Sequence, residues 1–128
     1  SRRNKKQRQI INEKALINVL KELGFNIIYF EDYSIVEQIT IANQANKIIG
    51  IHGAGLVNIN FCKKGTKILE LFPSNYQVTS FYMHSIMSKL DYNFYIGETI
   101  NYKWRQRPIM ENFNVDIDVI RDFIQEKW

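Results

Sequence analysis

An α/β fold, with a parallel sheet and helices covering both of its faces, is the class this sequence predicts. Segments whose apolar residues recur at three-and-four spacing alternate along the chain with short apolar runs. Those runs are continuously hydrophobic, whereas a strand wetted on one face would show every second residue polar. A length of 128 residues, 45% of them hydrophobic and 23% charged, suits one domain with a real core. No repeat, low-complexity tract or Pro/Gly/Ser linker divides it, so residues 1–128 are read as a single unit.

The elements follow in order. Ile10, Ile11, Ala15, Leu16, Val19, Leu20 and Leu23 form one apolar helical stripe that stops at Gly24, a favoured residue just past a helix end. Residues 26–30 are β-branched and aromatic and read as a strand. Ser34 with Glu37 three positions on makes a capping box, and Val36, Ile39 and Ala42 continue the helix it opens. Residues 47–51 are a strand that runs directly into His52-Gly53-Ala54-Gly55, after which residues 56–61 suit a short helix. Residues 67–72 form the next strand, closed by Pro73. A helix over 78–90, a strand over 94–97, an irregular stretch holding Trp104 and Pro108, and a last helix from Asp116 complete the chain.

Composition excludes several functions. The net charge of +4 comes largely from Arg2, Arg3, Lys5, Lys6 and Arg8, while the remainder is near neutral. Such a run is usually solvated, and the dispersed aromatic residues with no RNA-binding signature speak against nucleic acid as a partner. Cys62 is the one cysteine, so no internal disulfide forms, and Cys62, His52 and His84 are too few for a zinc cage. The apolar runs are too short to span a membrane, and the start has no signal-peptide pattern. Ser1 stands where an initiating Met is usual, at what reads as a strand end, and leads us to expect further chain upstream.

Ligands of open α/β sheets sit beyond the carboxyl ends of the strands, which makes His52-Gly53-Ala54-Gly55 the leading candidate. Small residues there let backbone N–H groups and a helix N-terminus approach an anion such as a diphosphate. The plainer alternative is a tight turn capped by His52. Glu70, a carboxylate inside an apolar strand, needs partners: ribose hydroxyls, Lys67, or solvent at the strand end. Asn58 and Asn60 suit either phosphate and sugar hydroxyls or helix capping. Arg2, Arg3 and Arg8 offer bidentate donors to phosphate. Tyr76, just after a strand, is the aromatic best placed to stack on a base or sugar.

Glu37-Gln38, Ala45, the run from Ile48 through His52-Gly53-Ala54-Gly55-Leu56-Val57-Asn58, then Phe61 and Ile68-Leu69-Glu70-Leu71 together resemble the signature of the family 61 glycosyltransferases. That family typically carries an HGAGLTN run and a following strand with an acidic residue; here Val57 stands where threonine is usual. Ser1-Arg2 and Arg8 through Ile10 to Asn12-Glu13 are similar to its opening segment, and residues 114–118 to its looser close.

The resemblance implies one Rossmann-like half of a two-domain GT-B enzyme, the C-terminal half that binds the donor. It implies a nucleotide sugar, most simply a UDP-sugar, and inverting transfer to a glycan or protein hydroxyl. No metal or other cofactor is implied, because arginines and helix dipoles supply the positive charge. It assigns Arg2 and Arg8 to the diphosphate, the His52 to Gly55 loop to phosphate or sugar, with Asn58 beside it, and Glu70 to the ribose. The general base is not assigned; it is expected mainly from the N-terminal half, and His52 is the candidate in this chain. A non-catalytic Rossmann-like nucleotide-binding or regulatory module is the alternative reading. Eukaryotic relatives work in the secretory lumen and bacterial ones in the cytosol, and the lack of an Asn-x-Ser/Thr acceptor and the single cysteine lean towards the cytosol.

Overall fold

Capping chemistry sets the starts of two helices and the end of a third in the structure, a computed structural model that describes residues 9–99 and 111–128. Trp104 and Pro108 lie outside the described residues, as do Arg2, Arg3 and Arg8. The elements are α1 (Glu13–Glu22), α2 (Ile35–Gln44), β1 (Lys47–Ile51), a 3₁₀ helix Ala54–Phe61, β2 (Lys67–Pro73), α3 (Ser80–Met87), β3 (Asp91–Thr99), β4 (Phe113–Asn114) and α4 (Ile117–Lys127). A single 3₁₀ turn, Phe30–Asp32, precedes α2.

The chain groups into two compact units. One consists of Tyr29–Phe72 and Gln77–Tyr95, and the other of the described parts of Arg2–Ile28, Pro73–Tyr76 and Ile96–Trp128. In the first, the Ser34 hydroxyl accepts from the Glu37 N–H while the Glu37 carboxylate accepts from the Ser34 N–H at 2.7 Å, a complete capping box that starts α2. β1 and β2 pair in parallel, Lys47 opposite Lys67 through Ile51 opposite Leu71. Every residue of β2 after Lys67 is buried, as a run that is apolar on both faces except at Glu70 requires. Leu56, Ile59 and Ile68 make the core, with Ile48, Cys62, Phe81, Leu90 and Tyr92 packed against it. Burial in this setting pushes the Cys62 thiol up to about 11, so it stays protonated and serves as packing.

In the second unit α1 lies against α4, with Leu16, Val19, Leu20, Ile120 and Ile124 buried. The Asn12 side chain clamps Val115, donating to its carbonyl at 2.6 Å and accepting from its N–H at 3.0 Å. Gly24 ends α1 at φ +83°, and the next N–H, of Phe25, bonds back to the Leu20 carbonyl at 2.9 Å, a Schellman-type close. Asp116 caps α4 by accepting from the Asp118 and Val119 N–H groups.

The sheet order is β1-β2-β3-β4. The Asp91 N–H bonds to the Thr66 carbonyl where β2 and β3 begin, and the Ser74 N–H bonds to the Gly97 carbonyl where they end, so β3 runs in the same sense as β2. β4 is antiparallel to β3, with Glu98 opposite Asn114 and Thr99 opposite Phe113. The sheet is therefore mixed, a correction to the parallel sheet expected: a two-residue strand is too short to leave a sequence pattern. Residues 26–30 are a second correction. They form no strand, because β-propensity becomes a strand only where a neighbour takes the ladder bonds. α3 is shorter than the 78–90 expected, since Lys89 takes the left-handed conformation at φ 55° and turns the chain into β3.

Candidate functional site

The end of β1, α3 and β3 of the first unit bring side chains together around one carboxylate of β2. The His52 N–H extends the β1–β2 ladder by one rung, bonding to the Leu71 carbonyl at 3.0 Å, which fixes where its ring emerges. The ring stacks on Phe72 with centroids 5.1 Å apart and 19° between planes, and Phe81 of α3 closes on it at 5.4 Å. Its Nδ1 lies 2.5 Å from Glu70 Oε1, and the Tyr92 hydroxyl donates to Glu70 Oε2 at 2.5 Å. Alternation along β2 puts Ile68, Glu70 and Phe72 on one face, so the acid points to the side where His52, Phe81 and Tyr92 gather.

Glu70 has 0% exposure, whereas the His52 side chain keeps 11%. Burial holds the Glu70 carboxyl above the usual carboxylate range, against the opposing hydrogen bonds from Tyr92 and His52 and the charge of His52. Burial, then the hydrogen bond to Glu70 and its charge, raise the Tyr92 phenol well above its ordinary value. Tyr92 is thus a donor at any working pH. The ribose contact expected of Glu70 presupposes an open carboxylate; here both oxygens are engaged inside the unit, and its partners are His52 and Tyr92 instead of Lys67 or solvent.

Beyond His52 the chain needs a conformation open essentially to glycine alone, and Gly53 adopts it at φ 148°, ψ −172°. Its carbonyl accepts from the Leu56 N–H at 2.9 Å and opens the 3₁₀ helix Ala54–Phe61. The Ala54 and Gly55 N–H groups precede Leu56, the first helical donor, so the helix itself offers them no acceptor, and both residues are exposed. A Cβ placed on Gly55 would meet nothing within 4 Å, so the fold does not require glycine there.

Asn58 is fixed by a consistent amide pattern. Gln38 Nε2 donates to the Phe30 and Tyr33 carbonyls at 2.9 and 3.0 Å, leaving Gln38 Oε1 to accept from Asn58 Nδ2, which also faces the Gly55 carbonyl, each at 3.3 Å. With its donors used, Asn58 offers a ligand an acceptor, Oδ1. Asn60 is exposed on the same 3₁₀ helix. Tyr76 belongs to the second unit and is half-buried. Tyr92, Phe72 and Phe81 were not singled out from the sequence. The signal for Tyr92 was the buried acid itself, which demanded a donor, but only the order of strands says which hydroxyl supplies it.

Among the described residues no group of three or more His, Cys, Asp or Glu is placed to hold a metal ion, and no helix is long and apolar enough to cross a membrane. What the geometry defines is a glycine loop at a strand end, with exposed Ala54 and Gly55 at a helix start and a histidine anchored by a buried acid. Residues 1–69 match the Glycosyltransferase 61 family, and the chain belongs to it. That stretch contains the whole glycine loop and stops one residue short of Glu70.

The chain is 32% identical over 81 residues, 63% of its length, to a beta-1,2-xylosyltransferase of Oryza sativa subsp. japonica. It is 29% identical over 75 residues, 55% of its length, to the EGF domain-specific O-linked N-acetylglucosamine transferases of Bos taurus and Rattus norvegicus. The match spans 14% of the length of each of these relatives.

Proposed function

We propose that this chain binds the nucleotide-sugar donor of a glycosyltransferase, most simply a UDP-sugar, for inverting transfer to a glycan or protein hydroxyl. The observation that supports this reading is the Gly53-Ala54-Gly55 turn, whose exposed Ala54 and Gly55 open a 3₁₀ helix directly after His52 in a chain of this family. The Ala54 and Gly55 N–H groups receive diphosphate oxygens, with Arg2 and Arg8 as further cations. Glu70 holds His52 through Nδ1, which keeps the imidazole ring at the donor loop. Asn58 Oδ1 accepts from a ribose or sugar hydroxyl. Glu70 holds His52 in place in this reading and does not touch the ribose.

The wider architecture belongs to the same reading: a Rossmann-like, C-terminal half of a GT-B enzyme, with the general base and the acceptor contacts supplied by an N-terminal half. Arginines and oriented amides balance the diphosphate charge, so the donor needs no metal to bind. Calorimetric titration of the chain with UDP, GDP and CMP, and with duplex DNA as a polyanion control, tests it. Saturable binding of one nucleotide, weakened by His52→Ala and matched by no comparable DNA binding, is the expected result. A folded chain that binds none of the three nucleotides would overturn the proposal.

A further inference from the structure

The His52–Glu70 pair extends one residue further, to a group that neither the sequence motifs nor the family match includes. Tyr92 stands at the start of β3, and its hydroxyl is aimed at the Glu70 oxygen that His52 does not use. Glu70 is fully enclosed, so bulk water does not replace that donor. The Tyr92 ring is itself held, packed against the Leu56, Ile59 and Ile68 core and met edge-on by Tyr82 at 5.6 Å and 60°. At the other end the His52 ring is fixed by its stack on Phe72 and by Phe81. A carboxylate gripped at both oxygens can neither rotate nor change partner; gripped at one, it can do both. A phenylalanine would fill the same apolar space, so the hydroxyl is the part of Tyr92 that packing does not explain.

We propose that Tyr92 is a positioning residue of the donor site: its phenol fixes Glu70 so that Glu70 keeps the proton of His52 on Nδ1 and holds the imidazole ring in one orientation at the donor loop. Tyr92 touches no ligand and acts through two intervening side chains. The proposal rests on the reading of the His52 loop as the donor site, and its first readout is made without ligand.

The test is ¹H–¹⁵N NMR of the His52 imidazole in the folded chain, with and without Tyr92→Phe, followed by UDP titration of both proteins. In the wild type a downfield proton on Nδ1 is expected; in Y92F it moves upfield or is lost to exchange, and UDP binds roughly fivefold more weakly, the effect of one lost hydrogen bond. An unmoved Nδ1 proton, or a moved one with unaltered UDP affinity, overturns the proposal. If Y92F does not fold, a ring-fluorinated tyrosine at 92 replaces it: the more acidic phenol draws on Glu70 and must shift the Nδ1 proton, and no shift again overturns it. Wild-type chain that shows the Nδ1 proton yet binds no UDP refutes the donor-site reading instead, so the two failures are distinct.

Discussion

A carboxylate buried in an apolar strand costs several kcal/mol unless its oxygens are met, and Glu70 meets that cost through His52 and Tyr92. Because burial raises its folded-state pKa, Glu70 favours folding below the ordinary carboxylate range, and that contribution is lost as pH rises through the raised value. Glu37 acts oppositely: its hydrogen bonds with Ser34 lower its pKa, so its contribution is present above the ordinary range and lost as pH falls through the lowered one. Denaturation of the wild type across this range is expected to show a loss of stability with rising pH that Glu70→Gln abolishes. The amide has one acceptor oxygen where the carboxylate has two, so it cannot accept from both His52 and Tyr92, and it is expected to weaken UDP binding about tenfold, read by titration. The two loop glycines separate fold from ligand. Gly53→Ala forces a side chain into a glycine-only conformation and is expected to cost about 1–3 kcal/mol on thermal denaturation. Gly55→Ala meets no atom of the fold and is expected to leave stability within about 0.5 kcal/mol of the wild type while lowering nucleotide affinity.

Local signals fixed the elements well where capping or glycine chemistry marks their ends. The Ser34–Glu37 box was legible because it needs residues only three apart, and Ser34→Ala is expected to cost about 1 kcal/mol in urea denaturation. Residues 26–30 had strand-like composition and became irregular chain, and β4 had no signature at all, because both depend on a distant partner. Gly97 shows that dependence at one position. A Cβ there would run into the Asn114 carbonyl oxygen and lie 2.5 Å from a Phe113 ring carbon, and backbone and a fully buried ring have no room to move. Gly97→Ala is therefore expected to destabilise the chain by about 1–3 kcal/mol, with loss of amide protection at Glu98 and Thr99 in hydrogen exchange.

For the whole molecule, folding and the proposed donor binding are linked. Whatever binds the folded chain and not the unfolded one stabilises it by RT ln(1 + [L]/Kd), about 2.7 kcal/mol at a hundredfold excess over Kd. UDP at that excess is expected to raise the melting temperature by several degrees, and His52→Ala to reduce the rise. The sequence by itself determined the glycine loop, the strand that delivers it, the starts of α2 and α4 and the family, because each is written in residues a few positions apart or in one contiguous motif. It also showed that Glu70 must have partners. Only the tertiary structure decided who those partners are: strand order set Tyr92 beside β2, and the ladder carried one rung past β1 turned His52 onto the same acid. Spacing along a chain reports which face a residue occupies, whereas the group that meets it there is chosen by pairing between strands tens of residues apart, which leaves no local trace.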